Sequence, residues 1–300
     1  MQFGIMAMQI DELIPSGVQP EAVIDHVMNF EHAALIGKLS EAGFRLIELG
    51  GDLQLFLPQT FTPAAIEGLG RLKETRNLDF TIHLPLWSVE PSTPLLPVRK
   101  GSVQSLVATI KAVQPLDPER LVLHATGALA AEFYRMGLPD TASRLLLRLF
   151  QQNAIESLKA ILAETGIPSR KIAIETIEFP FDLTLEMADQ LDLSVCFDTG
   201  HVLAGFSGSL DFFEALERCL PRLGEVHLHD SAHFNPDQGI RYGVDHQPLG
   251  SGDLELGRFL DRLNRAGFDG PVFFELRLEQ ALRSLEVIRR VRPEYLPGAG

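Results

Sequence analysis

Cysteine is scarce in this 300-residue chain: only Cys196 and Cys219 occur, each inside an apolar segment. Two thiols without paired spacing exclude a disulfide scaffold and a thiolate zinc site, and they suit a reducing compartment. Basic residues are also in deficit, 26 Lys and Arg against 40 Asp and Glu, for a formal net charge of −14. A field of that sign repels polyanions, so nucleic acid is not expected as a partner. No apolar run approaches the roughly 20 residues of a bilayer span, and no membrane partner is expected. The opening MQFGIMAMQI carries neither a basic flank nor a small-residue cleavage site, so a cytoplasmic protein is expected. No Gly-x-Gly-x-x-Gly turn follows the first apolar run, which argues against a doubly wound dinucleotide-binding sheet.

What is present is an alternation. Short apolar runs, each followed by a longer segment of helical period, recur eight times, the order of βα units around a parallel sheet. Strands are predicted at 3–9, 45–49, 80–84, 120–124, 171–176, 193–197, 224–229 and 271–276. Helices are predicted at 20–43, 63–76, 99–114, 141–166, 184–190, 209–219, 254–266 and 278–290. Gly43, Gly166 and Gly267 sit where helices would end. Eight units in 300 residues predict an α/β fold, a (β/α)₈ barrel forming one domain over 1–300.

In such a barrel, side chains at the carboxyl ends of the strands carry the chemistry. The ionisable residues collect there: Glu48, His83, His124, Glu175, Asp198, His227, His229 and Glu275, with His201 and His246 in the loops that follow. Each alone is an ordinary rim or core residue. Together, several carboxylates at one mouth need a neutralising cation, and imidazole with carboxylate suits Zn²⁺, Mn²⁺, Fe²⁺ or Co²⁺. His26 and His32 in the first helix and His233 in a long loop are given no chemistry. Glu48 reads either as an acid orienting His83 or as an interior residue paired with a cation. Trp87, the only Trp, reads as a substrate-stacking ring or as a cap on the barrel mouth. The polar loop 231–248 and the proline-rich segment 85–98 are placed to select substrate.

These residues resemble the xylose-isomerase-like barrels, which include endonuclease IV and the tagatose-type sugar epimerases. The carrying motifs are Ile174-Glu175-Thr176, Asp198-Thr199-Gly200-His201, His227-Leu228-His229-Asp230-Ser231, the segment His246 to Gly252 and Phe274-Glu275-Leu276. The resemblance implies that Glu175, Asp198, His227 and Glu275 ligate a shared divalent metal. The endonuclease branch adds two ions through histidines matching His83 and His124 on one side and His201 and His246 on the other. This chain departs from that branch at Val244, where an Asp is usual; its acid is the adjacent Asp245. Epimerases of the family move a proton with two metal-bound glutamates, here Glu175 and Glu275, and hold a substrate oxygen with an Arg near the seventh strand, for which Arg241 is the candidate in the loop though outside their usual pattern.

A closer resemblance is to the cobamide-remodelling phosphodiesterases. It is carried by Pro115-Leu116-Asp117-Pro118, Phe179-Pro180-Phe181, Leu193-Ser194-Val195-Cys196 leading into Asp198, and Asp245-His246. It implies hydrolysis of the phosphodiester in the nucleotide loop of a corrinoid. Across both readings the candidate catalytic residues are Glu175, Glu275, His201 and His246, and the candidate substrate contacts are His229, Trp87 and Arg241. The ions would polarise the phosphate and acidify a water. A metal-dependent sugar isomerase or epimerase is the alternative, and an endonuclease is disfavoured by the acidic balance. A noncatalytic binding protein would lack ligands that this chain retains.

Overall fold

The computed structural model describes residues 1–9 and 29–296, with residues 19, 23, 25 and 27 between them. Eight parallel strands close into a barrel in sequence order. They are β1 (Gln2–Met6), β2 (Leu46–Gly50), β3 (Asp79–His83), β4 (Leu121–Leu123), β5 (Ile172–Glu175), β6 (Ser194–Asp198), β7 (Leu223–His227) and β8 (Pro271–Phe274). Each predicted strand is found, several ending earlier than expected. His124, His229 and Glu275 therefore lie just beyond strands, at the start of the loops.

The larger helices wrap this sheet: α1 (His32–Glu41), α3 (Pro63–Arg76), α4 (Leu96–Val113), α6 (Asp140–Thr165), α7 (Phe181–Leu191), α9 (Phe212–Cys219), α10 (Leu256–Arg265) and α11 (Leu278–Val291). Three short helices, α2 (Leu53–Phe56), α5 (Ala128–Arg135) and α8 (Thr199–Leu203), were not expected. They sit in loops after strands, too short for a period to register. The predicted helix 20–43 is not continuous, because Asn29, Phe30 and Glu31 are non-helical, and part of it lies outside the described residues, His26 included. Ends follow local chemistry. Thr62 caps α3 by accepting from the Ala65 N–H at 3.4 Å, with Pro63 in its first turn, and Asn77 closes it in the left-handed conformation. Among the described residues no helix is long and apolar enough to cross a membrane.

The two faces of each strand bury different things. Phe80 and Ile82, Ile172 and Ile174, and Val195 and Phe197 belong to the large core shared with the helices. Their alternates Val122, Ala173 and Cys196 form a separate small cluster inside the barrel. The pairing register carries this inward set from strand to strand, through Met6 opposite Glu48, Glu48 opposite Thr81, Glu175 opposite Cys196 and Asp198 opposite His227. Period-two geometry thus puts the ionisable ends of β2 to β8 on the inner face, while β1 contributes Met6.

Gly4 belongs to that inner set. A Cβ there would run into the Phe273 ring and come 2.7 Å from the Leu46 carbonyl oxygen. Gly4→Ala is expected to lower the unfolding free energy by about 2 kcal/mol, the scale of core overpacking. Urea denaturation checks this, and Phe273→Leu added to Gly4→Ala should recover part of the loss.

Candidate metal centre

Barrel closure brings the predicted residues into one mouth. Glu175 is at its middle. Its Oε2 lies 3.2 Å from His83 Nε2 and 2.9 Å from His124 Nε2, while its Oε1 lies 3.2 Å from His201 Nδ1 and 3.5 Å from His227 Nδ1. His227 Nδ1 also faces Asp198 Oδ2 at 3.7 Å and Glu275 Oε2 at 3.4 Å. Deeper in the barrel, His227 Nε2 faces Glu48 Oε2 at 3.4 Å.

Five sets of side chains bring ligand atoms within 4.8 Å of one another; one, Glu48, Glu225 and His227, lies deeper in the barrel, and three lie at the mouth: His83, His124 and Glu175; Glu175, Asp198, His227 and Glu275; and His201, Asp245 and His246. A further set, Asp198, His229, His246 and Glu275, overlaps the last two. The residues present fit divalent cations. His227 Nδ1 is fully buried, has no hydrogen-bond partner among the described residues, and points at three carboxylates.

Local sequence explains the placement. In Asp198-Thr199-Gly200-His201, Asp198 caps α8 by accepting from the His201 N–H at 2.7 Å. The Thr199 hydroxyl donates to the carbonyls of His227 (3.1 Å) and His229 (2.6 Å), pinning β7 to β6. Gly200 is required because a Cβ would collide with the Asp245 carbonyl oxygen and His229 Nδ1. Asp230 supports the following loop, accepting from the N–H groups of Ser231, Gly250 and Leu254. The same loop is bridged at its base between Asp230 and Gln247, and Tyr242 meets Glu178 and Arg135 across the mouth.

Charge is balanced by proton sharing. Burial works to lower the pKa of His83, but Glu175, with Glu48 and Glu275, lifts it to about 9. Asp198 and Glu175 likewise overcome burial and raise His201 to about 9. Asp245 and Glu275 raise His246 to about 11 against the effect of burial. The surrounding imidazoles in turn hold Glu175, Asp198 and Glu275 well below the usual carboxylate range, although burial opposes this.

Some expectations are corrected. Of its two expected readings Glu48 takes the interior one, buried and facing His227 Nε2. His229 lies past the strand, but it is a buried member of the cluster, with Nε2 2.8 Å from Asp198 Oδ2 and its ring stacked on His246 at 4.2 Å. Arg241 is exposed and is not on the wall of the cavity above the cluster, whereas Arg277 is. That cavity is about 580 Å³. One wall is the ionisable cluster; the other is Met6, Met8, Leu86, Trp87 and Leu276. Trp87 is 56% exposed and set edge-on to Phe56. Asp52 holds its loop by accepting from the N–H groups of Leu86 (3.0 Å) and Trp87 (3.3 Å).

One acid, Glu225, has no role in the sequence reading, and another, Asp245, is named there only as the neighbour of the position where an Asp is usual. Asp245 takes the position between His201 (3.7 Å) and His246 (2.6 Å), so the acid adjacent to His246 completes the third set in place of the one absent at Val244. Glu225 lies two residues before His227 on the same inner face, a parity that could have identified it.

A closed parallel barrel with imidazoles and carboxylates clustered at its carboxyl end is a (β/α)₈ barrel carrying potential metal-ligand sets at the face where such barrels place their chemistry. The chain belongs to the xylose isomerase-like TIM barrel family, whose description matches residues 36–291. It is 24% identical over 249 residues to an uncharacterized protein of Methanocaldococcus jannaschii, covering 78% of this chain and 76% of that one. Among solved structures it is similar to a D-tagatose 3-epimerase-like protein (20% identity, TM-score 0.71, 98% of each chain). It is also similar to endonuclease IV from Thermus thermophilus (21% identity, TM-score 0.65, 98% of this chain and 100% of that one). At these identities the structural likeness speaks for the fold.

Proposed function

We propose that this protein is a divalent-metal-dependent phosphodiester hydrolase acting on a small molecule, the nucleotide loop of a corrinoid, in the cytoplasm. One observation carries the reading: Glu175 is shared between the His83–His124 pair and the Asp198–His227–Glu275 set, with His201, Asp245 and His246 as a third set beside them. A single-ion proton-transfer site has no use for His83 and His124. Several adjacent ions suit in-line displacement at phosphorus.

Glu175, Asp198, His227 and Glu275 would hold one ion, His83 and His124 with Glu175 a second, and His201, Asp245 and His246 a third; Mn²⁺ and Zn²⁺ suit these donors best, with Fe²⁺ or Co²⁺ as alternatives. Such ions supply Lewis-acid stabilisation of phosphate charge and a more acidic water. The chain's own residues supply the rest. When the third set holds no ion, His246, the most exposed imidazole of the cluster and 3.1 Å from Glu275, is placed to give a proton to the leaving oxygen. Asp245, 2.6 Å from its Nδ1, orients that ring. His201, buried between Glu175 and Asp198, keeps both acids in place. The apolar wall of Met6, Met8, Leu86 and Trp87 would receive the bulk of the substrate.

The epimerase reading has its own support, since Glu175 and Glu275 both face His227 Nδ1 and belong to one ligand set. The two separate by experiment. Protein supplied with Mn²⁺ or Zn²⁺ is incubated with adenosylcobalamin and, in parallel, with ketohexoses. Products are read by chromatography. The expected result is metal-dependent release of a phosphorylated cobinamide and a base riboside. Ketose interconversion without phosphodiester cleavage would overturn the proposal.

A further inference from the structure

Below the ring of candidate ligands, two acids face each other across the barrel interior. Glu48 on β2 and Glu225 on β7 are fully buried. Neither oxygen of Glu48 has a hydrogen-bond partner among the described residues, nor does Glu225 Oε2. Glu225 Oε1 is reached by the Thr81 hydroxyl at 3.4 Å. The cation-capable group paired with both is His227, whose Nε2 lies 3.4 Å from Glu48 Oε2 and 3.7 Å from Glu225 Oε1. The same interior holds the apolar cluster of Val122, Ala173 and Cys196, which offers no solvation for a charge.

Buried carboxylates with so few donors destabilise a fold unless a compensating charge is present. A barrel core needs no acid at either place for packing. His227 links them to the mouth: one ring nitrogen faces the two lower acids, the other faces Glu175, Asp198 and Glu275. An imidazole that ligates an ion through one nitrogen presents the other as an N–H donor, and a carboxylate accepting that proton fixes the ring and makes it a stronger ligand.

We propose that Glu48 and Glu225 are positioning residues for the metal: they receive the Nε2–H of His227 and commit Nδ1 to the ion held by Glu175, Asp198 and Glu275. The inference rests on the divalent-cation part of the reading above and is indifferent to the reaction that follows. It assigns these two acids an opposite effect on two properties. They weaken the metal-free fold and strengthen ion binding.

The test uses Co²⁺ as the probe, with affinity measured by calorimetry or chelator competition, beside thermal melting of the metal-free protein. Glu48→Leu is expected to lower Co²⁺ affinity by roughly 10–100-fold while the metal-free melting temperature is unchanged or higher. Glu48→Gln keeps an acceptor and is expected to restore part of the affinity. Glu225→Gln should act in the same direction as Glu48→Leu with a smaller loss. If Glu48→Leu does not fold, the two glutamine variants carry the measurement through their loss of affinity against wild type. Unchanged affinity together with a lowered melting temperature would mean that both acids are only structural and would overturn the inference. Wild-type protein that binds no Co²⁺ would overturn the cation reading itself, and this inference with it.

Discussion

Glu175→Gln is expected to strip the protein of at least two bound divalent ions and to lower turnover about 10³-fold or more. Both oxygens of Glu175 are engaged, Oε2 by His83 and His124 and Oε1 by His201 and His227. Glutamine has nearly the same shape but no charge and only one acceptor oxygen. The imidazoles would then lose the anion that holds them, and two ligand sets would lose their common member. Metal content by elemental analysis after dialysis, with activity measured alongside, checks this. A variant that kept the full complement of ions would show that Glu175 is not the shared ligand.

The second large effect is a dependence on pH that changes with metal. In the metal-free protein His83 and His201 are raised to about 9 and His246 to about 11, against an ordinary value of 6.5. Groups raised in the folded state stabilise it fully below the ordinary value, and the contribution is lost as pH rises through the folded value. The metal-free fold should therefore weaken between pH 6.5 and 9. A rise of this size on one histidine is worth on the order of 3 kcal/mol. Because the three share carboxylates, their contributions do not add, and a fall in melting temperature of roughly 5–10 °C is expected. On the acid side Glu175 and Glu275, held well below their ordinary values, stabilise above those values and lose the contribution as pH falls through the lowered ones. Ion binding must displace the histidine protons, so uptake should strengthen as pH rises and the loaded protein should not share the alkaline loss. Melting at pH 6, 7.5 and 9 with chelator or with Mn²⁺ decides it. Parallel curves would mean that no ion replaces those protons.

The strands were legible because a strand buried on both faces needs a short apolar run, and that is a property of a few adjacent residues. Their ends were less so, since the same run does not say where pairing stops. His229 illustrates the consequence: expected inside a strand, it lies beyond β7 yet joins the cluster, because Thr199 holds its backbone. The helix expected over 20–43 breaks at Asn29–Glu31, and three short helices went unnoticed because four to eight residues show no clear period. Arg241 illustrates the opposite error. Its loop follows β7, but proximity in sequence to His246 does not put a side chain on the cavity wall, and Arg277, just after the neighbouring strand β8, is there instead.

Sequence by itself determined the βα alternation and the inward parity that puts acids and imidazoles at strand ends. Both follow from periods of two and 3.6 along the chain. Tertiary structure alone decided who meets whom. Closure of β1 on β8 and the register of each pair bring Glu48 to His227 across the barrel, and a loop bridge at Asp230 and Gln247 helps bring Asp245 between His201 and His246. Such encounters join residues tens to hundreds of positions apart, and no local pattern can encode them.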